Sequence, residues 1–341
     1  MVTPQAVTDD WPRSTYPSRG DQCHTRRHPE GLDPISPGRW PDACENGGRP
    51  VSKVPVRVDG RELVLSNLGK ILYPEDGFTK AEVIDYYTRV APALLPHLRG
   101  RPLTVKRYPN GVEGPFFFEK NAPEHTPGWV RRVRLPVPGS IKNRETIDFA
   151  VVDDLPTLAY YANLAALELH VPQWRVSGDG AALPPDTLVF DLDPGPPATV
   201  VECCEVALLL RDVLRAEGLT ARPKTSGNKG MQLYADWDCR EEPSAYARRL
   251  AQVLEKERPD QVVSVMARKA RPGKVFIDWS QNNPAKTTVA PYSLRARQHP
   301  TVSTPLLWEE VEGCEHPDDL VFTAPDVLDR VAQHGDLFAR A

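Results

Sequence analysis

The sequence predicts a mixed α/β (α+β) fold with antiparallel sheets, not a doubly wound parallel sheet. Two observations predict it. Helical and strand patterns follow one another in irregular order instead of a repeating β-α-β alternation. Adjacent strand patterns are also joined by tight turns, at Asp59-Gly60 and at the SGNKG string of 226–230. The 341 residues are enough for one large or two ordinary domains. Hydrophobic content of 40% and charged content of 26% are those of a globular chain. No run approaches the ~18 apolar residues of a membrane span. Arg26-Arg27 lacks the apolar segment of an export signal, so the expected location is cytoplasmic. The net charge of −4 argues against an overall basic coat but is compatible with a local basic groove.

Residues 1–50 are rich in Pro, Arg, Gly and Asp and lack a hydrophobic period, which predicts a disordered N-terminal tail. Within it Cys23, His24, His28 and Cys44 match no common zinc-finger spacing. Cys203 and Cys204 are adjacent in a helical pattern, as suits reduced thiols. Order is expected from about residue 54. The stretch VPVRVDGRELVLSN alternates around its Asp-Gly turn. Thr79 and Glu82 form a capping box for a helix running to about Leu95. Strands are expected at 103–107, 115–119 and 146–152, and an apolar helix at 156–169 ending at His170. A strand at 187–193 precedes a helix over 199–217 closed by Gly218. Strands at 220–225 and 231–237 flank the SGNKG loop. A helix at 243–257, strands at 261–267 and 274–279, and two short helices complete the chain.

The string TLVFDLDPG carries the first chemical signal. Side chains alternate along a strand, so Asp191 and Asp193 share one face while Phe190 and Leu192 take the other. Two neighbouring carboxylates at the end of an apolar strand need a proton or a cation, and hard oxygen donors favour Mg²⁺ or Mn²⁺. Taken alone, the pair also fits a sugar transferase that grips a nucleotide-sugar through Mn²⁺. The Gly-bracketed loop with Lys229 could cradle phosphate oxygens, or be a hairpin turn with a surface lysine. Strand 274–279 delivers a third carboxylate, Asp278, just after Arg268, Lys269, Arg271 and Lys274. That charge run reads as a triphosphate clamp or as a solvated face. Three carboxylates on strand ends can hold two cations for in-line attack at phosphorus.

Seven strings occur together and in order: LSNLGKILYP, TVKRYPNGV, FFFEKNAPEHTPGW, FDLDPG, SGNKG, KVFIDWSQN and KTTVAPYSLRAR. On them, residues 54–338 resemble the polymerase domain of bacterial ligase D, in the archaeo-eukaryotic primase superfamily. The resemblance implies a stand-alone primase-polymerase domain with mixed, antiparallel sheets and an RRM-like catalytic half. It implies a nucleotidyltransferase, a template-dependent DNA/RNA polymerase of gap filling and end joining that uses two Mn²⁺ or Mg²⁺ ions and NTP or dNTP substrates. Asp191, Asp193 and Asp278 match the family's metal-binding aspartates. Lys106, His170, Ser226, Lys229, Arg271 and Arg295 match residues around the incoming nucleotide. For His170, a capped histidine at a helix end is the alternative. Lys70 and Lys80 match the pocket for the 5′-phosphate at a gap or break. A cation in the first turn of a helix is disfavoured, and a bound phosphate would remove that conflict. Phe117 and Phe118 match aromatics near the template strand. The implied partners are DNA with gaps or broken ends, a Ku-like end binder and a separate DNA ligase, in a bacterial, nucleoid-associated setting without a membrane. The family pattern S-G-x-K-G-x-H is departed from at its last position, where Gln232 stands. Glutamine donates a hydrogen bond but stays neutral, which implies weaker nucleotide incorporation. The alternative reading is a DNA-end-binding or bridging module whose polymerase activity is weakened or lost.

Overall fold

The computed structural model describes residues 53–137, 145–238 and 241–340; the expected tail and its Cys and His residues lie outside these. β1 (Lys53–Val58) and β2 (Arg61–Ser66) form the expected hairpin, with Val56, Val58, Leu63 and Leu65 turned inward. β3 (Ile71–Tyr73) and β4 (Phe78–Thr79) lead into α1 (Lys80–Leu98), where the Thr79–Glu82 capping box closes as expected. β5 (Thr104–Arg107) and β6 (Phe117–Glu119) follow, then a hairpin of β7 (Arg132–Pro136) and β8 (Thr146–Ala150).

The next segment corrects the expected helix over 156–169. α2 covers only Leu155–Asn163, and residues Ala166–Val171 form strand β9. Ala165, with φ of 56°, breaks the helix. After it Leu167, Leu169 and Val171 face the core, while Glu168 and His170 take the opposite face. This period of two was concealed in a long apolar run. His170 therefore sits on a strand, not at a helix end.

β10 (Trp174–Val176) pairs with β11 (Ala182–Pro185) ahead of β12 (Thr187–Pro194), α3 (Val200–Ala216), β13 (Ala221–Thr225) and β14 (Met231–Asp236). α4 (Pro243–Glu257), β15 (Val262–Val263), β16 (Val275–Asp278), β17 (Thr288–Val289), α5 (Trp308–Glu312) and α6 (Ala324–His334) complete the order. The strand expected at 261–267 is thus cut to two residues.

Two sheets organise these elements. One runs β17-β9-β5-β6, the other β13-β14-β12-β16-β15; only the β15–β16 pair is parallel. The mixed, antiparallel architecture is the one the sequence predicts. Leu188, Phe190 and Leu192 of β12 pack with Cys203, Leu210 and Leu214 of α3 and Leu250 and Leu254 of α4. Each such buried side chain stabilises the fold by about 1.5–3 kcal/mol, which fixes which face of β12 points inward. Val189 and Tyr234, on the other face of that sheet, join the core of the first sheet. Among the described residues no helix is long and apolar enough to cross a membrane, and Cys203, Cys204 and Cys314 are free thiols.

Candidate active site

Packing of Phe190 and Leu192 on the helices turns Asp191 and Asp193 to the opposite face of β12. Register then supplies the third acid. Asp191 lies directly opposite Asp278 of β16 on one side and Gln232 of β14 on the other. All three carboxylates therefore share one face, with Asp191 central.

Their mutual field is strong. Burial first, then Asp193 and Asp278, raise the Asp191 carboxyl from 3.8 to about 7. Burial and Asp278 likewise raise Asp193. Gln232 Nε2 donates to Asp191 Oδ1 at 3.0 Å, partly offsetting this. Among the described residues neither Asp191 nor Asp193 has an ion-pair partner within 4.0 Å. Asp278 is turned onto its own neighbours: Oδ1 accepts from Ser280 N (3.0 Å) and the Ser280 hydroxyl, and Oδ2 from Gln281 Nε2 (2.9 Å). Lys286 Nζ stands 3.9 Å from Oδ2. In this arrangement no three acidic, His or Cys side chains among the described residues close on one point as ion ligands. The donor set itself fits a hard divalent cation. It is all carboxylate, its members repel one another, and the Arg271 and Lys224 charges only partly offset that repulsion.

A cleft of about 630 Å³ opens over the acids, lined by Asp191, Asp193, Ser226, Lys229, Gln232, Arg271 and Arg295. The loop between β13 and β14 forms one rim. Ser226 Oγ accepts from the amides of Asn228 and Gly230, at 3.2 Å each, which holds the loop curled with Lys229 exposed at its tip. Arg295 Nη1 donates to Ser226 O at 3.0 Å. Arg271 lies over the Phe276 ring at 3.8 Å and donates to Met266 O at 2.8 Å.

Arg295 also reaches the first sheet. Its Nε stands 3.6 Å from Glu168 Oε1. Glu168 is 3% exposed and receives His170 Nε2 (3.0 Å) and Ala296 N (3.2 Å), with Lys106 Nζ at 3.7 Å. Burial alone would raise its pKa. The His170 hydrogen bond and the Arg295 and Lys106 charges outweigh burial and bring it to about 2. Burial pushes His170 below its ordinary value despite the Glu168 contact. The sequence reading missed Glu168. Its signal was a lone acid two residues before a histidine in an apolar run.

Phe117 and Phe118 point to opposite faces of β6. Phe118 lies opposite Lys106 and meets the His170 ring at 6.2 Å. Phe116 points the same way, stacked on Tyr108 and 4.1 Å from Lys106 Nζ. Phe117 instead lies against Arg107 on the reverse face. All three phenylalanines are exposed.

Lys70 and Lys80 form a separate cluster at the start of α1. Lys80 N donates to Lys70 O at 2.8 Å. Lys80 is buried, and its ammonium donates to Ser66 O (2.6 Å) and Ser66 Oγ (3.3 Å). Burial, then the neighbouring Lys70 and Arg107 charges, lower it to about 8. Lys70 Nζ donates to Asn110 Oδ1 at 2.8 Å. A second residue escaped the sequence reading: Lys224, fully buried, lies opposite Gln232 and donates to Ser303 Oγ at 2.6 Å.

Comparison with known proteins is consistent across three lines. Residues 79–338 match the protein family described as LigD, primase-polymerase domain. The multifunctional non-homologous end joining protein LigD of Mycolicibacterium smegmatis is 45% identical over 279 residues, covering 81% of this chain and 35% of that protein. The bifunctional LigD of Bacillus subtilis is 32% identical over 278 residues, covering 80% of this chain and 43% of that protein. The chain thus spans well under half the length of these curated relatives. A solved polymerase domain from Mycobacterium tuberculosis ligase D, in complex with DNA, superposes with a TM-score of 0.76 at 43% identity, covering 81% of this chain and 96% of that one.

Proposed function

We propose, since this chain belongs to the LigD primase-polymerase domain family, that it adds NTP or dNTP units to DNA at gaps or broken ends in non-homologous end joining. The observation that carries the reading is the register of Asp191 against Asp278, with Asp193 on the same face beneath a basic-rimmed cleft roomy enough for a nucleotide triphosphate. Asp191, Asp193 and Asp278 are the residues that would hold Mn²⁺ or Mg²⁺. When bound, such ions supply Lewis acidity at phosphorus and acidify a hydroxyl nucleophile. The protein's own groups do the rest. The curled Ser226–Gly230 loop, Lys229, Arg271 and Arg295 offer donors to a triphosphate, and the Arg fork suits its oxygens. Phe116 and Phe118 offer exposed rings on the same side as Lys106 and His170, where a template base can stack. The test is extension of a primer across a gapped duplex with Mn²⁺ and each nucleotide type. Template-directed products support the reading, and their absence under every combination rejects it.

The Lys70–Lys80 cluster is read as the grip on a DNA 5′-phosphate. Two cations, Lys70 and Arg107, crowded around the buried Lys80 ammonium favour an incoming anion. Lys80→Gln should cut the preference for a 5′-phosphorylated gap by about tenfold, the scale of a lost charged hydrogen bond. The sign with pH is set by the lowered lysine value. Below about 8 the ammonium is charged and the preference is present. As pH rises through and beyond that value the preference is lost, with bound phosphate moving the loss upward. Binding titrations with and without the 5′-phosphate, at pH 7 and pH 10, read both effects. Equal affinity for the two duplexes at pH 7 counts against the pocket.

Gln232 bears on how strong the activity is. One of its two amide hydrogens goes to Asp191, its Oε1 accepts from the Tyr234 hydroxyl at 3.4 Å, and the group is neutral. It therefore brings no charge to the cleft, unlike the histidine of the family pattern. Gln232→His should raise nucleotide incorporation by roughly tenfold, the value of one hydrogen bond to a charged group. Unchanged steady-state rates and nucleotide affinity would remove this explanation.

A further inference from the structure

We propose that Glu168 is the positioning residue of the nucleotide wall: one sunken carboxylate that aims His170, Lys106 and Arg295 together. The inference rests on the polymerase reading above. Sheet register supplies the frame. Glu168, Lys106 and Phe118 form one cross-strand row over β9, β5 and β6, and His170 lies opposite Thr104 in the next row of the same face. Glu168 Oε2 takes the imidazole, while Oε1 takes the Ala296 amide and faces both Lys106 and Arg295. Ala296 adjoins Arg295, so this one carboxylate fixes the backbone that carries the arginine as well as its side chain.

The Thr104 hydroxyl and Arg295 Nε are buried without a hydrogen-bond partner. Thr104 lies opposite His170, and Arg295 Nε faces Glu168 Oε1 at 3.6 Å, so both belong to the frame built around that carboxylate. Arg295 then carries the arrangement to the phosphate loop through its bond to Ser226 O.

A sign test separates positioning from simple electrostatics. An anion beside a triphosphate repels it, so if Glu168 acted only through its field, removing the charge would tighten nucleotide binding. If it acts by aiming three cationic or donor groups, removal loosens binding despite the repulsion relieved. Glu168→Gln keeps the side-chain size and the acceptor for Ala296. The expected result is a KM for nucleotide raised by about tenfold, little change in kcat, and unchanged affinity for 5′-phosphorylated duplex. Separately from activity, the His170 ring should titrate at lower pH by NMR, because Glu168 is the group that raises it. A KM equal to or below wild type overturns the proposal. Glu168→Asp keeps the charge but withdraws it by one methylene. It serves where the Gln variant fails to fold; a raised KM supports positioning, and an unchanged KM overturns it. Wild-type protein that extends no primer rejects the polymerase reading and the positioning role with it. Active wild type with unaltered variants rejects positioning alone.

Discussion

Asp191→Asn abolishes nucleotide addition and, in the absence of metal, makes the protein more stable. The substitution keeps the side-chain shape and an oxygen for the Gln232 donor, so the β12–β14 ladder is undisturbed. It removes the central charge of the acidic face, the one flanked by both Asp193 and Asp278. Loss of a central electrostatic group in an active site costs roughly 10²–10³-fold or more in rate. Binding to 5′-phosphorylated gapped DNA, which on the proposed reading draws on Lys70 and Lys80, should be retained. The stability sign follows from linkage. The folded protein holds the Asp191 proton with a value of about 7, above the ordinary 3.8, so the native state binds that proton more tightly than the unfolded chain. Metal-free wild type therefore gains stability as pH falls from about 7 toward 4 and carries the full penalty above 7. The neutral amide of the Asp191→Asn variant carries no such penalty. Thermal melts in EDTA at pH 5 and pH 8, beside primer extension with Mn²⁺, check both halves. A variant that still extends within tenfold of wild type, or that melts with undiminished pH dependence, removes Asp191 from the centre of the site.

The parts of this site that were legible in the sequence are those set by local periodicity. An apolar strand that ends in D-x-D announces two carboxylates on one face, and the Thr79–Glu82 spacing announces a helix start. That Asp278 should lie directly opposite Asp191 is different in kind. Register between strands almost ninety residues apart is decided by packing around α3 and α4, and no local pattern carries it. Glu168 was lost because the run from Leu155 to Val171 is apolar enough to read as one helix. A single left-handed residue, Ala165, splits it, and Ala is a poor advertisement for such a break. The phenylalanine triplet held more information than its reading used, since alternation alone separates Phe117 from Phe116 and Phe118. Lys80 shows the reverse error. Its place in the first turn was read correctly, but burial against Ser66, which gives the ammonium its lowered value, depends on how the β1–β2 hairpin packs.

Gly230→Ala should unfold the site more severely than the loss of any single surface charge around it. Gly230 closes the β13–β14 loop where β14 begins, one residue before Met231 pairs with Leu192. A Cβ built there would stand 2.0 Å from Leu192 O and 3.0 Å from Pro194 Cδ. The first contact is with backbone, so no rotamer change relieves it. The carbonyl it strikes belongs to the residue between Asp191 and Asp193, and any retreat of β12 moves both acids relative to Asp278. Overpacking in a well-packed interior typically costs about 1–3 kcal/mol, and a rigid backbone obstacle belongs at the upper end, about 3 kcal/mol. Gly195, whose added Cβ would lie 2.1 Å from Arg271 O, is packed by the same means at the same C-terminal end of β12. Gly69→Ala is the control, since nothing lies within 4 Å of a Cβ at that position and the change should stay within about 0.5 kcal/mol. Urea unfolding reads the energies through a lowered midpoint at unchanged slope. Extension assays should show the Gly230 variant inactive even at denaturant-free stability sufficient to keep it folded. A wild-type midpoint for Gly230→Ala would mean that the loop does not seat against the strand that carries the acids, and the cleft above them would lose its rim.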